Sequence, residues 1–194
     1  MARTPDEPRR TRCFVAADLP DRVQLELHAA AMPLHGLGDC RWSKAEQLHV
    51  TLCFLGDIED AQLAAMARAV RELELPTVRL SVEGLGQFPG GGTPRVIWGG
   101  VKGDVAVLER LAARFRDLAT GLGIEVEDRR FAAHVTLARV RSPRGSALLT
   151  KALQQHKGFV LPHTFRVPSV SLYASERHFE GHRYRLLARA ETHA

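Results

Sequence analysis

Short apolar runs, some of them β-branched, alternate along the chain with stretches whose apolar positions fall three and four residues apart. That pattern predicts strands interleaved with amphipathic helices. The first strand is RCFVAADLP, Arg12 to Pro20. A helix follows from Asp21 to about Met32, with Val23, Leu27 and Ala30 on one face and Pro33 as its stop. LHVTLCFLG, Leu48 to Gly56, reads as the next strand. Asp57 is the expected N-cap of a second helix, with Asp60 in a weak version of a capping box. Leu63, Met66, Val70 and Leu73 form its stripe, and Pro76 ends it.

The segment TVRLSVEGLGQF then predicts a strand, PGGGTP a mobile loop, and RVIWGGV, Arg95 to Val101, a returning strand. Leu108, Leu111, Phe115 and Leu118 mark a third helix, closed by Gly121 and Gly123. AHVTLARV, Ala133 to Val140, is the next strand. Ser142 and Pro143 open a short helix around Ala147 to Gln155, and VPSVSLYAS and YRLLARA close the chain as strands. Each half therefore reads strand, helix, HVTL strand, helix, strand. Phe14 to His49 is 35 residues and Val96 to His134 is 38, so an internal duplication is predicted. A pseudo-twofold axis would make the two HVTL strands equivalent.

Composition narrows the class. With 194 residues, 45% of them apolar, the chain can bury one sizeable core, and a single domain over 1–194 with a disordered tail at 1–11 is expected. No stretch approaches the roughly 18 consecutive apolar residues of a membrane helix, so no membrane association is expected. The polar start MARTPDEPRRTR has no apolar core of an export signal, which predicts a cytoplasmic protein. Cys13, Cys40 and Cys53 are odd in number and lack CxxC spacing, so reduced thiols are expected. The net charge is +5, but the basic residues are scattered over every element; the charge permits an anionic ligand without arguing for one.

The chemistry lies in the repeated tetrapeptide, His49 to Leu52 and His134 to Leu137. Side chains alternate along a strand, so His49 and Thr51 share one face while Val50 and Leu52 pack on the other, and the second copy does the same. The twofold then brings two imidazoles and two hydroxyls to one cleft. An imidazole has an unperturbed pKa of ~6.5, so one of a pair can be the acid while the other is the base. That division of labour suits displacement of an alkoxide from phosphorus by water, with threonine hydroxyls donating to the phosphoryl oxygens. A zinc site would need three or four ligands, and apart from Cys53 none stands within two residues of either motif; no metal and no cofactor are expected. No GxxxxGK[ST] loop is present. By alternation Cys53 shares the face of His49, as a small core filler more than a nucleophile. Trp42 and Trp98 read as core or rim, and His178 and His182 as exposed loop residues flanking a Phe-Glu-Gly turn.

These residues resemble the 2H phosphoesterase superfamily, and within it the RNA 2′,3′-cyclic phosphodiesterase family, also called 2′-5′ RNA ligase. The resemblance runs through CFVAADLP, RWSKAEQLHVTLCFLGDI, GLGQFPGGGTPRVIWGGV, FAAHVTLARV and VSLYASERHFEGHRYRLL. It implies an α+β fold of two lobes, with two antiparallel sheets around a central cleft and helices outside. It implies His49 as proton donor, His134 as proton acceptor, and Thr51 and Thr136 as phosphate contacts. Arg139 is implied as a phosphate or nucleotide contact and Phe54 as packing near the base. The family often has Pro before the second motif histidine, where this chain has Ala133. Strict alternation also puts Arg139 on the face opposite His134, so its implied role requires a bulge or an earlier strand end.

The expected activity is metal-independent hydrolysis of an RNA 2′,3′-cyclic phosphate end, or of a small cyclic nucleotide, to a 2′-phosphomonoester by a monomeric enzyme. The regiochemistry comes from the resemblance alone. The alternatives are a non-catalytic RNA- or nucleotide-binding module using the same cleft, or a relative acting on another cyclic phosphate or a 2′-5′ linked oligonucleotide.

Overall fold

The computed structural model describes residues 10–127, 130–178 and 181–192. In chain order the elements are β1 (Arg10–Asp18), α1 (Asp21–Ala31), β2 (Cys40–Trp42), β3 (His49–Glu59), α2 (Asp60–Arg71), β4 (Arg79–Phe88) and β5 (Val96–Gly103). They continue with α3 (Val105–Gly121), β6 (His134–Val140), α4 (Ser146–Gln155), β7 (Phe165–Arg166), β8 (Ser169–His178) and β9 (Gly181–Glu191). The α+β class and the order of the expected strands and helices match, while the short strands β2 and β7 are additions that the sequence pattern does not predict. Among the described residues no helix is long and apolar enough to cross a membrane.

The strand order β7-β4-β5-β6-β3-β1-β8-β9 is a palindrome about the β6–β3 junction, with β2 attached to β6. The expected two sheets are thus two antiparallel halves of one curled sheet, joined where Val50 pairs with Val135. This single pair is the pseudo-twofold centre. Around it Asp18 pairs with His49, Ala17 with Val50 and Ala16 with Thr51. In the other half Gly100 pairs with His134, Gly99 with Val135 and Trp98 with Thr136.

The sequence halves and the lobes do not coincide. β4, from the first half, pairs with β5 of the second, and β8, from the second, pairs with β1 of the first. Each lobe therefore borrows from the other half, β8 and β9 in one and β4 in the other, so neither half can complete its sheet alone.

The helices pack their predicted stripes on the convex side. α3 buries Leu108, Leu111, Ala112, Phe115 and Ala119, and α2 buries Met66, Ala67 and Val70. Gly123, at φ +72°, supplies the left-handed turn after α3. Two expectations are corrected at element ends. Asp57 is not an N-cap: β3 runs on to Glu59 because it stays paired with β1, Asp57 faces Arg12 at 3.4 Å, and Gln62 Oε1 accepts the Glu59 N–H at 2.9 Å. Arg10 and Thr11 do not belong to a tail: they pair with Glu59 and Ile58, while 1–9 lie outside the described residues.

Candidate active site

β3 and β6 present their motifs side by side at the sheet junction. In both, His and Thr are half-buried while Val50, Leu52, Val135 and Leu137 are in the core. Beyond the threonine each strand carries the same bulge. Val15 pairs with Cys53 and Ala16 with Thr51, leaving Leu52 without a partner. Ile97 pairs with Ala138 and Trp98 with Thr136, leaving Leu137 without one.

An extra residue in one strand inverts the facing of everything after it. Cys53 is therefore core, 7% exposed, and not on the face of His49 as alternation implied; Phe54 takes that face instead, 51% exposed. Burial pushes the Cys53 thiol up to about 11, which fits a filler and not a nucleophile. By the same inversion Arg139 comes round to the face of His134 and Thr136, so the bulge that its implied role requires is present.

The two imidazoles are anchored identically. His49 Nδ1 donates to the Gln47 carbonyl and His134 Nδ1 to the Ala132 carbonyl, each at 2.7 Å. A carbonyl only accepts, so the neutral rings carry the proton on Nδ1 and leave Nε2 as a lone pair. His49 Nε2 then accepts the Thr51 hydroxyl at 3.0 Å. Protonating His49 turns that nitrogen into a donor and frees the hydroxyl proton for an incoming anion. Phe14 stacks on His49, with centroids 4.9 Å apart, and Tyr184 meets it edge-on at 5.6 Å. Phe88 meets His134 edge-on at 5.1 Å.

Burial pushes His49 down to about 4; His134 and Arg139 act in the same direction, while the Gln47 carbonyl and the Asp18 carboxylate oppose them. His134 is also lowered, by burial first and then by Arg139, against the pull of the Ala132 carbonyl. Both rings therefore favour the neutral form near neutrality. A bound phosphate supplies the negative charge that favours an imidazolium.

His49, Thr51, Phe54, Thr136 and Arg139 line a cleft of about 670 Å³. His134 is not among its lining residues; it stands on the strand face of Thr136, behind Phe88, and close enough to His49 to act on it electrostatically. The lining also includes groups that sequence reasoning missed: Arg41, Ser43, Lys44, Arg183 and Tyr184. Trp42, expected in core or rim, is half-buried in the same wall and stacks on His35 at 4.2 Å. His182 is not an exposed loop residue. It is half-buried on β9, its carbonyl accepts from Gln47, and its Nδ1 lies 3.1 Å from Ser175 Oγ. His178, at the end of β8, is exposed as expected. Among the described residues no group of three or more His, Cys, Asp and Glu is placed to hold a metal ion.

Two consecutive segments, residues 18–98 and 102–184, match the profile described as LigT like Phosphoesterase, and each contains one HVTL. The chain is 32% identical over 177 residues to the RNA 2′,3′-cyclic phosphodiesterase of Archaeoglobus fulgidus, covering 87% of this chain and 99% of that one. It is 32% identical over 142 residues to the enzyme of the same name from Aeropyrum pernix, covering 73% and 80%. The crystal structure of a Thermus thermophilus protein superposes with a TM-score of 0.76 at 28% identity, covering 93% of this chain and 97% of that one. E. coli LigT complexed with NADP+ superposes with a TM-score of 0.72 at 25% identity, covering 96% and 99%.

Proposed function

Because the chain belongs to the LigT-like phosphoesterase family, we propose that it hydrolyses 2′,3′-cyclic phosphate ends of RNA to 2′-phosphomonoesters, without a metal, as one domain. The observation that carries this reading is the pair of Nδ1-anchored imidazoles set about the Val50–Val135 centre.

In this mechanism His134 Nε2 takes a proton from water as the water oxygen bonds to phosphorus. The bond from phosphorus to the 3′ oxygen breaks, and His49 Nε2–H protonates that oxygen. The products are a 2′-phosphate and a free 3′ hydroxyl, and the proton gained by His134 returns to His49 through solvent. Thr51 and Thr136 donate to the non-bridging oxygens, where transition-state charge gathers. Arg139 offers a charge-assisted contact to the nucleotide, and Phe54 offers an apolar face at the cleft for the base.

The twofold is broken beside His49. The strand neighbour of His49 is Asp18, whereas that of His134 is Gly100. Asp18 is buried and accepts hydroxyl hydrogen bonds from Ser169 at 2.6 Å, Ser171 at 2.5 Å and Tyr173 at 2.8 Å, with Arg189 3.9 Å away. The carboxylate beside His49 alone raises the pKa of that ring without outweighing burial, which leaves it at about 4. It opposes the lowering effects of burial, His134 and Arg139 on His49.

Asp18→Asn removes the charge, lowers the His49 pKa further, and is expected to move the alkaline limb of kcat, which reports the substrate complex where the bound phosphate favours the imidazolium, to lower pH. The acidic limb, set by the base, should move less. The check is a pH–rate profile on protein shown folded by circular dichroism. An unmoved alkaline limb would leave Asp18 as a tie between β1 and β8 only.

The proposal is tested by incubating the protein with a short RNA ending in a 2′,3′-cyclic phosphate, with and without chelator. Multiple turnovers at equal rates in both are expected. Stoichiometric binding without product would favour the binding module, and activity lost to chelator and restored by zinc or manganese would require a metal-dependent route.

A further inference from the structure

Five arginines of the sheet are matched with acids. Arg10, Arg12, Arg141, Arg185 and Arg189 each lie within ion-pair distance of a carboxylate, namely Glu59, Asp57, Asp39, Glu176 and Asp18. Arg41 and Arg139 do not, among the described residues, yet they are direct cross-strand partners on β2 and β6 and both line the cleft. Like charges facing each other across a strand pair destabilise a sheet. An arrangement that gathers such a pair in a cleft wall instead of neutralising it is suited to an anion supplied from outside.

The opposite wall adds to the field. His182 on β9 is held below the usual histidine range by burial and then by Arg41, Arg12, Arg177 and Arg139, so guanidinium groups from four strands converge on it. The reacting phosphate accounts for one anion, held by the two threonines. Arg139 stands three residues beyond Thr136, which in extended chain is roughly 7–10 Å, a distance that one nucleotide can span. Arg41 lies across from Arg139 on the edge of β6 that faces β3, since β5 takes the other edge.

We propose that Arg41, acting with Arg139, binds the phosphodiester that links the terminal nucleotide to the one before it, so that the cleft selects oligoribonucleotides over cyclic mononucleotides. This rests on the cyclic phosphodiesterase reading for the identity of the terminal group. It assigns to a residue outside the two motifs the discrimination between an RNA end and a free nucleotide. Phosphate contacts of this kind position a strand without reading its sequence, so the selectivity is for length and not for base.

The experiment compares kcat/KM for a cyclic mononucleotide, adenosine 2′,3′-cyclic phosphate, with that for the adenylyl dinucleotide carrying the same cyclic end. For the wild type the dinucleotide should be preferred by about tenfold or more. Arg41→Gln should reduce that ratio to about two or less, mainly through KM for the dinucleotide, and should flatten the salt dependence for that substrate. Arg110→Gln, an exposed site on α3, should leave the ratio unchanged. Equal kcat/KM for the two substrates in the wild type, or an Arg41→Gln effect equal on both, would overturn the proposal. Calorimetric binding of the 2′-phosphorylated mononucleotide and dinucleotide repeats the comparison without turnover. A protein that hydrolyses neither substrate but keeps the Arg41-dependent preference in binding would refute the hydrolase reading and leave the subsite standing.

Discussion

Alanine at His49 or His134 is expected to lower kcat by roughly 10²–10⁴, because each substitution removes one of the two proton transfers. The losses should differ in kind. His134→Ala removes the base that activates water, so the acidic limb of the pH–rate profile disappears with it. His49→Ala removes the donor to the leaving oxygen, so the alkaline limb disappears. In the wild type the two limbs belong to the coupled pair and not to either ring alone. Neither ring supplies core packing, since both are half-buried at the cleft, so the variants should fold. Steady-state rates on variants with native circular dichroism decide the matter. Turnover near the wild-type value in either one would refute paired acid–base catalysis.

The hydroxyls carry the second large effect. Thr51→Val and Thr136→Val keep volume and β-branching while deleting a donor. Loss of a fully desolvated oxyanion donor costs about 10²–10³ in rate; in an open cleft with a hydrated phosphate the loss should lie at or below the bottom of that range. The two positions are not equivalent. Thr51 already donates to His49 Nε2, and no such bond joins Thr136 to His134 among the described residues. Thr51→Val therefore also changes the environment of the acid, and should perturb the alkaline limb slightly more than Thr136→Val does. Both hydroxyls would serve one phosphate, so the double variant should be non-additive in a double-mutant cycle. Valine variants with unchanged rate and unchanged product affinity would make the hydroxyls structural.

Much of this site is legible in the sequence because its signal is local and repeated. A tetrapeptide that occurs twice, in equivalent strands of similar units, identifies His49, Thr51, His134 and Thr136 and requires only strand alternation to place them on one face. What alternation cannot supply is the phase after an irregularity. The extra residues Leu52 and Leu137 are ordinary apolar strand residues, and only pairing with β1 and β5 makes them bulges. Hence Cys53 and Phe54 exchange faces relative to a strict two-residue period, and Arg139 reaches the cleft. The same dependence on distant pairing hides the three-residue β2, which carries Arg41 to the cleft by pairing with β6 nearly a hundred residues later.

The second helix cap is misread from sequence for a related reason. Asp57 is a good capping residue by type, but continued pairing of β3 with β1 keeps it in the strand, and Glu59 with Gln62 does the capping. His182 reads as a loop residue because Phe-Glu-Gly favours a turn, yet β9 begins at Gly181 and brings the ring into the cleft wall. The exchange of outer strands between halves has no local signature, because it depends on which lobe β4 and β8 join after their helices. That exchange explains how two similar units build one continuous cleft.

The most direct test of the central claim is hydrolysis of an RNA 2′,3′-cyclic phosphate in oxygen-18 water with chelator present, followed by phosphorus NMR of the product. Water attack with departure of the 3′ oxygen predicts a 2′-phosphomonoester carrying a single heavy oxygen on phosphorus, formed at the same rate without added metal. A 3′-phosphomonoester, or no product until a metal is restored, would contradict it.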